Sequence, residues 1–218
     1  MELGVFGGTF NPVHLGHLRA AEEAREALGL ERVVFVPAKI PPHKEARAVA
    51  PSDVRLDLVR RAVGDNPAFD VSELELRRDG PSYSVDTLRE LRAGLGPGDR
   101  LWFLVGSDAY REIHTWSRYA ELFALADVGV LSRPPGELRA APPARLEGDF
   151  TFEGCVLRHR SGREVRFVPV TLLDISATAV RQALARGGSV RYLVPEAVRE
   201  DLERLARGHP LWFSGSTA

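Results

Sequence analysis

The alternation of short apolar runs with helix-forming segments constrains the fold of this chain more than any other feature of its sequence. Apolar runs lie at 3–6, 32–36, 101–106 and 127–131, and segments rich in helix formers lie at 18–28, 53–63, 85–95 and 119–126. Strands that alternate with helices of about 10–15 residues are typical of parallel sheets covered on both faces. The sequence therefore predicts an α/β fold: a Rossmann-like doubly wound parallel sheet with helices on both faces.

Turn and capping residues set the predicted boundaries of these elements. Gly29 closes the helix that begins at Leu18, and Pro37 stops the second strand. Ser52 is predicted to cap the helix over 53–63. The segment FDVSELEL, residues 69–76, continues the alternation as a further strand.

The chain is predicted to form a single domain over residues 1–218. A proline-rich linker and hairpin excursion occupy about 134–165, turning at Ser161-Gly162 and returning to a strand at Val165 to Val168. A small C-terminal helical segment follows at about 176–207, with helices at 178–186 and 196–207.

Charge and hydropathy exclude several classes of protein. The net charge is −1, from 29 basic and 30 acidic residues, so no overall basic field indicates a nucleic-acid partner or an anionic membrane. No apolar run approaches the roughly 18–20 residues that span a bilayer, and the N-terminus lacks the pattern of a signal peptide. Cys155 is the only cysteine, so no internal disulfide forms. These features predict a cytoplasmic protein that binds neither nucleic acid nor membrane, and they leave a homo-oligomer open.

The segment GVFGGTFNPVHLGHL, residues 4–18, is the first with a chemical signature. Gly7 and Gly8 follow the first strand and allow the backbone to approach a ligand closely. His14 and His17 are three residues apart, so they share a face of a first helical turn, beside its free backbone N–H groups. Two imidazoles at such a place can donate hydrogen bonds to phosphoryl oxygens.

A zinc pair and a purely structural role are the alternatives for these two histidines. Zinc requires a third and a fourth ligand. The remaining histidines are scattered along the chain, at His43, His114, His159 and His209. Phosphate binding is therefore favoured over both alternatives, and no metal-ligating residue is assigned.

The segment DISATAVR, residues 174–181, is the second with a chemical signature. Ser176 and Thr178 place hydroxyls beside the free N–H groups of a predicted helix start, and Arg181 lies one turn further on. Together they predict a second helix terminus that binds anions. Taken alone, a serine here is most often an ordinary N-cap.

These motifs resemble those of the nucleotidylyltransferase superfamily, through GGTFNP, HLGH at 14–17 and the late ISATAVR. More narrowly, the chain is similar to the bacterial nicotinate-mononucleotide adenylyltransferases, through VPAKIPPHK, PSYSVDTL, FLVGSDAY with Trp116, and LSRP. The similarity covers nearly the whole chain in order. Two departures are Ala177, where the family usually has serine, and Ser84, where threonine is frequent.

The resemblance implies a nucleotide site and an ATP-dependent reaction. His14, His17 and Arg181 are the implied catalytic residues. The implied ATP-binding residues are Gly7, Gly8, Thr9, Phe10, His14, His17, Gly106, Asp108, Ile175, Ser176, Thr178 and Arg181. The resemblance also implies Mg²⁺ carried by the ATP phosphates, with few or no protein ligands.

The second substrate implied by the resemblance is nicotinate mononucleotide. The family suggests that it binds Lys44, Tyr83, Ser84, Asp108, Trp116 and Arg133. Trp116 can stack on a flat pyridine ring. The cationic side chains of Lys44 and Arg133 suit a phosphate or a carboxylate. The alternatives are core packing for Trp116 and an ordinary solvated charge for Arg133.

The resemblance implies an enzyme that joins the AMP moiety of ATP to nicotinate mononucleotide, giving deamido-NAD and pyrophosphate. Two alternatives are sister adenylyltransferases that act on nicotinamide mononucleotide or on phosphopantetheine. A third is a nucleotide-binding regulator without catalysis. Phosphopantetheine enzymes typically carry Thr-x-Gly-His, so His14 counts against that substrate.

Overall fold

The computed structural model describes residues 1–40, 49–132, 141–154 and 156–213. Within these ranges it contains eight β-strands and eight α-helices. The strands are β1 (Glu2–Gly8), β2 (Arg32–Pro37), β3 (Phe69–Val71), β4 (Arg100–Gly106), β5 (Asp127–Ser132), β6 (Phe150–Glu153), β7 (Val156–His159) and β8 (Glu164–Pro169). The helices are α1 (Leu15–Leu28), α2 (Ser52–Val63), α3 (Leu74–Arg77), α4 (Ser84–Ala93), α5 (Ser107–Arg111), α6 (Tyr119–Leu125), α7 (Ala177–Ala185) and α8 (Glu196–Gly208).

The strands form one sheet in the order β3-β2-β1-β4-β5-β8-β7-β6. Strand β4 pairs in parallel with β1 and β5, and β8 pairs in parallel with β5. The antiparallel pairs among the described strand pairings are β6 with β7 and β7 with β8. The predicted α/β fold with a mostly parallel sheet is confirmed, and the order reverses between β1 and β4, as in doubly wound sheets.

Two glycines, which have no side chain, allow helix α1 to lie close to the sheet. A Cβ atom at Gly4 would lie 2.7 Å from Leu30 Cδ1, and one at Gly129 would lie 2.9 Å from both Leu104 Cδ2 and Leu28 Cδ1. Strand β5 is buried along its whole length, as expected for a central strand covered on both faces. The two glycines therefore set the distance between β1, β5 and the end of α1.

A cluster of ion pairs closes the amino-terminal ends of β4, β5 and β8. Asp127 and Glu164 are almost fully buried, and Arg100 bonds both carboxylates. Glu164 donates its backbone N–H to Asp127 at 2.9 Å. The Arg100 guanidinium also lies 5.0 Å from the centre of the Trp102 ring. Buried carboxylates are costly unless they are paired. The pairing of Asp127 and Glu164 with arginine therefore stabilises this end of the sheet.

Three predicted boundaries are wrong, and each has a local cause. Helix α1 begins at Leu15 rather than Leu18. Ser52 is the first residue of α2 and does not cap it, because the cap position is held by Pro51. The strand predicted over 69–76 ends at Val71, since the Ser72 hydroxyl accepts the Leu74 N–H and starts the short helix α3.

The chain divides into two compact units. The first unit comprises Met1–Gly7, Ala20–Val34 and Tyr83–Leu172, and the second comprises Gly8–Arg19, Phe35–Ser82 and Leu173–Ala218. The single domain over 1–218 stays a prediction. The hairpin turn at Ser161-Gly162 is present between β7 and β8. Most of the proline-rich linker, at 134–140, and Cys155 lie outside the described residues.

No helix in the described part of the chain is long and apolar enough to cross a membrane.

His159 makes the stability of the first unit depend on pH. Its ring is buried against Phe123 and Phe150, and its Nδ1 accepts the Ser161 N–H at 3.2 Å. Burial lowers the pKa of His159, against an opposing effect of Asp149. A buried histidine with a lowered pKa contributes its full stabilisation above its unfolded pKa of about 6.5. This stabilisation is lost as the pH falls from there through the lower pKa of the folded state.

We therefore expect acidification through this range to destabilise the wild type more than His159→Asn, which keeps an oxygen acceptor for Ser161 and cannot titrate. Chemical denaturation at a series of pH values measures the difference in unfolding free energy. Equal slopes for the two proteins would show that His159 does not titrate on unfolding.

Candidate active site

The two histidines of the first motif lie at the start of α1, in the second unit. His14 immediately precedes the helix and His17 is its third residue, which corrects the prediction that both lie within the first turn. The rings stack with centroids 3.6 Å apart and an angle of 24° between their planes. The His14 N–H donates to His17 Nδ1 at 3.2 Å, which is half of a capping box. Because Nδ1 accepts, the ring proton of neutral His17 lies on Nε2, which becomes its donor.

Phe10 packs against the ring of His17. It is buried, with a backbone φ of 47°, and its ring meets the His17 ring edge-on at 5.2 Å. A Cβ atom at Gly8 would lie 2.9 Å from this ring, so residue 8 has to be glycine for Phe10 to lie there. The glycine predicted to admit a ligand thus also admits the phenylalanine that orients His17.

Gly16 brings the second motif next to the first. A Cβ atom at this position would lie 3.1 Å from His14 Nδ1 and 3.4 Å from the carbonyl oxygen of Ile175. The start of α1 is also held by a 3.0 Å bond from the Leu15 N–H to the Leu193 carbonyl. The residues of HLGH and of ISATAVR, which are about 160 positions apart, therefore lie together within the second unit.

Helix α7 starts directly after Ser176. The Ser176 hydroxyl accepts the Ala179 N–H at 3.1 Å, so this serine is an N-cap, as its position predicted. Arg181 donates to Thr178 Oγ1 at 3.2 Å and to the Asn11 carbonyl at 2.9 Å. Through the second bond, α7 is tied to the loop that carries the histidines.

The Arg181 guanidinium is half-buried, and no carboxylate bonds to it among the described residues. Desolvation lowers its pKa. Its Nε is buried and lacks a hydrogen-bond partner in the described part of the chain. A cation whose partners are a carbonyl and a hydroxyl keeps its charge uncancelled, which suits the binding of an anion.

The sequence motifs did not identify two residues that contribute to this region, Asn11 and Arg55. Asn11 is buried, and its Oδ1 accepts the Ala50 N–H at 3.2 Å. Arg55 is 1% exposed and donates to backbone carbonyls on three segments. The signal for Arg55 was its helical spacing, because it shares the buried face of α2 with Leu58, Val59 and Ala62.

Gly7 and Gly106 lie at the carboxyl ends of neighbouring strands in the first unit. Strands β1 and β4 pair in parallel, with Phe6 opposite Leu104. A Cβ atom at either glycine would meet no described heavy atom within 4 Å, so both side-chain positions are open among the described residues. Asp108 follows on α5, and its exposed carboxylate pairs with Arg111. This edge, at the reversal of strand order, is where doubly wound sheets bind ligands.

Tyr83, Ser84 and Trp116 belong to the first unit. Tyr83 precedes α4, and its carbonyl accepts the N–H groups of Asp86 and Thr87. The half-buried Trp116 meets Phe103 edge-on, with ring centroids 6.2 Å apart. A 2.6 Å ion pair between Asp86 and Arg118 ties the first turn of α4 to the loop that follows Trp116.

Of the remaining predicted site residues, only Thr9 lies within the described part of the chain. Lys44 and Arg133 lie outside the described residues, so their roles stay predictions. Thr9 lies in the loop after β1, where its carbonyl accepts from Arg55. In the described ranges, no group of three or more His, Cys, Asp or Glu side chains is arranged to hold a metal ion.

The second unit offers hydrogen-bond donors that can bind anions. His17, Arg181 and the N–H groups at the start of α7 supply donors, and α7 adds the positive end of its dipole. Such donors stabilise charge that develops on phosphoryl oxygens. The geometry is thus compatible with transfer between phosphates.

Comparison with known proteins identifies the family. The family model described as cytidylyltransferase-like matches residues 5–183. A Halorhodospira halophila protein named "probable nicotinate-nucleotide adenylyltransferase" is 50% identical over 200 residues, which cover 91% of this chain and 91% of that protein. A Trichlorobacter lovleyi protein of the same name is 48% identical over 202 residues, covering 91% and 94%.

Solved structures agree on the fold. The nicotinic acid mononucleotide adenylyltransferase of Plasmodium falciparum, complexed with NaAD, has a TM-score of 0.69 at 13% identity and covers 97% of each chain. The family match spans most of the chain, and the two bacterial relatives far exceed the identity at which family membership is secure. The chain therefore belongs to the cytidylyltransferase-like family, and within it to the nicotinate-nucleotide adenylyltransferases.

Proposed function

We propose that this enzyme transfers the adenylyl group of ATP to nicotinate mononucleotide, forming nicotinate adenine dinucleotide and pyrophosphate in NAD biosynthesis. The observation that carries the proposal is the contact at Gly16, which places the His14–His17 pair beside the start of α7. The bacterial relatives support the substrate pair, as do the Plasmodium falciparum structures complexed with NaAD and with APC.

The reaction requires no nucleophile from the enzyme. The 5′-phosphate of nicotinate mononucleotide attacks the α-phosphorus of ATP in line, a new P–O bond forms, and the bond to the β-phosphate oxygen breaks. The attacking phosphate is already ionised near neutral pH, so a general base is unnecessary. The enzyme contributes positioning and stabilisation of charge on the transferring and leaving phosphates.

The starts of α1 and α7 and several nearby residues each have a part in this proposal. His14 and His17 bind the phosphates at the start of α1, with His17 Nε2–H donating to the α-phosphoryl oxygens. The start of α7, with Ser176, Thr178 and Arg181, binds the β- and γ-phosphates that leave as pyrophosphate. Gly8, Thr9, Phe10 and Ile175 shape the backbone around them. Gly7, Gly106 and Asp108 are proposed to contact the nucleotide at the carboxyl ends of β1 and β4.

Mg²⁺ is proposed to enter with ATP, since nucleotidyltransferases that use ATP generally require it. The donors near Arg181 are N–H and guanidinium groups, whereas Mg²⁺ prefers oxygen ligands. Phosphate oxygens would therefore hold the ion, and its chemistry would be to neutralise the triphosphate.

Nicotinate mononucleotide is assigned to Lys44, Tyr83, Ser84, Asp108, Trp116 and Arg133. Helix α4 begins at Ser84, and no side chain caps it among the described residues, so its first N–H groups suit a carboxylate. The NH₂ group of an amide would instead lie against these backbone N–H groups, and two donors cannot hydrogen-bond each other. The defining experiment is incubation with ATP, Mg²⁺ and each candidate mononucleotide, with pyrophosphate as the measured product. ATP binding without pyrophosphate release for any of them would indicate a regulator instead.

Replacement of His17 tests the role of the stacked pair. We expect His17→Ala to lower kcat by roughly 10²-fold or more, because a donor to developing phosphoryl charge is lost. Steady-state kinetics and a thermal melt measure activity and folding together. His209→Ala, in the C-terminal region, is the control. A folded variant with wild-type turnover would remove His17 from the mechanism.

Replacement of Arg181 tests the assignment of the outer phosphates. We expect Arg181→Ala to weaken ATP and pyrophosphate by roughly 1.5–3 kcal/mol, the range for a charge-assisted contact, and to leave AMP nearly unchanged. Calorimetric titration with each ligand gives the three values. The exposed Arg186, at the end of the same helix, provides the control variant Arg186→Ala. An equal loss for ATP and AMP would place Arg181 away from the outer phosphates.

The choice between acid and amide tests the mononucleotide site. We expect a strong preference for nicotinate mononucleotide over the nicotinamide form, because polar mismatches discriminate more strongly than shape. Trp116→Ala should weaken both substrates together, since both rings are flat and similar in size. The measurement is kcat/KM for each substrate in wild type and variant. A wild type that uses both equally would contradict the nicotinate assignment and leave adenylyl transfer standing.

A further inference from the structure

Arg55 is a buried cation whose hydrogen-bond partners among the described residues are backbone carbonyls. Its side chain is 1% exposed, in the first turn of α2. Nε donates to the Ala50 carbonyl at 2.8 Å and Nη1 to the Thr9 carbonyl at 2.6 Å. Nη2 donates to the carbonyls of Ala38 at 2.6 Å and Lys39 at 3.2 Å. Fully buried arginines are rare unless paired, so this one needs an explanation.

The four carbonyls lie on three separate segments of the second unit. Thr9 follows β1, Ala38 and Lys39 follow β2, and Ala50 precedes α2. A planar guanidinium offers five N–H donors in a fixed fork, so it can bond segments that approach it from different directions. Arg55 therefore fixes the ends of β1 and β2 against α2.

A chain of hydrogen bonds leads from Arg55 to Arg181. Arg55 bonds the Ala50 carbonyl, the Ala50 N–H donates to Asn11 Oδ1, and the Asn11 carbonyl accepts from Arg181 Nη1. Asn11 is 4% exposed; the first two bonds of this chain are buried and the third is partly buried. Every member lies in the second unit, and the path joins α2 to α7 through the residue that begins the turn before His14.

We infer that Arg55 and Asn11 are positioning residues, which hold the Arg181 guanidinium in the orientation that binds the outer phosphates of ATP. This inference rests on the proposed function. Neither residue needs to touch the substrate. Arg55 fixes Ala50, Ala50 fixes the Asn11 amide, and the Asn11 backbone holds one arm of Arg181 while the start of α7 holds the other.

The charge of Arg55 also persists at neutral pH. Burial lowers its pKa to about 10, and the nearby carboxylates of Asp53 and Glu75 partly oppose this effect. Lysine at this position would keep the charge but could not reproduce the planar fork, so it would leave some of the four carbonyls unbonded. Arg55→Lys therefore separates the geometry of the clamp from its charge.

A purely structural role and a positioning role predict different results in a double-mutant cycle. If Arg55 only stabilised the fold, its replacement would weaken ligand binding equally with and without Arg181. If it acts through Arg181, its effect largely disappears once Arg181 is alanine, because residues in one hydrogen-bond network are energetically coupled.

The test measures Kd for pyrophosphate, ATP and AMP by calorimetry in wild type, Arg55→Lys, Arg181→Ala and the double variant. We expect Arg55→Lys to weaken pyrophosphate on the order of tenfold in the wild-type background and less than about twofold in the Arg181→Ala background, within known coupling for a shared network. AMP should change little in every variant. Arg60→Lys, on the same helix but exposed and paired with Glu73, is the matched control and should leave all three ligands unaffected.

A second variant covers the case in which Arg55→Lys does not fold. Asn11→Ala removes Oδ1, the link to Ala50, and leaves Arg55 in place. It should show the same coupling to Arg181. Equal weakening of pyrophosphate in both Arg181 backgrounds, for whichever variant folds, would overturn the inference.

The same measurements separate this inference from the proposed function. A wild type that binds ATP and forms no dinucleotide would overturn the proposed function, and the cycle on Kd would still test Arg55. A wild type that makes the dinucleotide but shows no coupling between residues 55 and 181 would overturn the inference alone. Absence of ATP and pyrophosphate binding in the wild type would overturn both.

Discussion

The absence of a side chain at position 16 is the constraint on which the second unit depends. The His14 ring and the Ile175 carbonyl occupy the space in which a Cβ atom at this position would lie, at 3.1 and 3.4 Å. A side chain at this position would require the His14 ring to shift by a few tenths of an ångström and would fill the space against the segment that leads into α7. Each of the two helix starts has the positive end of a helix dipole, and in the proposed site Gly16 allows both to lie beside one anion.

Two groups of buried charge in this protein have opposite consequences. At the amino-terminal ends of the strands, Asp127 and Glu164 bond arginines directly, so charges cancel and the cluster contributes to the fold. In the second unit, the hydrogen-bond partners of Arg55 are backbone carbonyls, and those of Arg181 are a carbonyl and a hydroxyl. Neutral partners fix a guanidinium without cancelling its charge. Substrates that carry several phosphates benefit from the second arrangement.

The sequence was sufficient for the fold and for the N-cap at Ser176, because both depend on local patterns. The phosphate-binding role of the two motifs stays a prediction. The partners of Arg181 were not predictable from local patterns, since Asn11 is 170 residues away and bonds through its backbone, which no residue type reveals. Arg55 lies on a buried helical face and was missed because arginine is ordinarily assigned to solvent. The end of β3 depended on one serine hydroxyl, which competes with strand pairing.

A reaction between two phosphates places its demands on geometry rather than on reactive side chains. No proton has to be removed from the attacking phosphate, so selection acts on the direction and rigidity of donors. Backbone amides, a histidine fixed by its neighbour's N–H and an arginine held at two nitrogens are all donors whose orientation is set before the substrate arrives. Such donors cost little reorganisation during the reaction. In the proposed mechanism, buried residues that touch no substrate contribute to catalysis, because a small rotation of Arg181 would change the charge distribution around the leaving pyrophosphate.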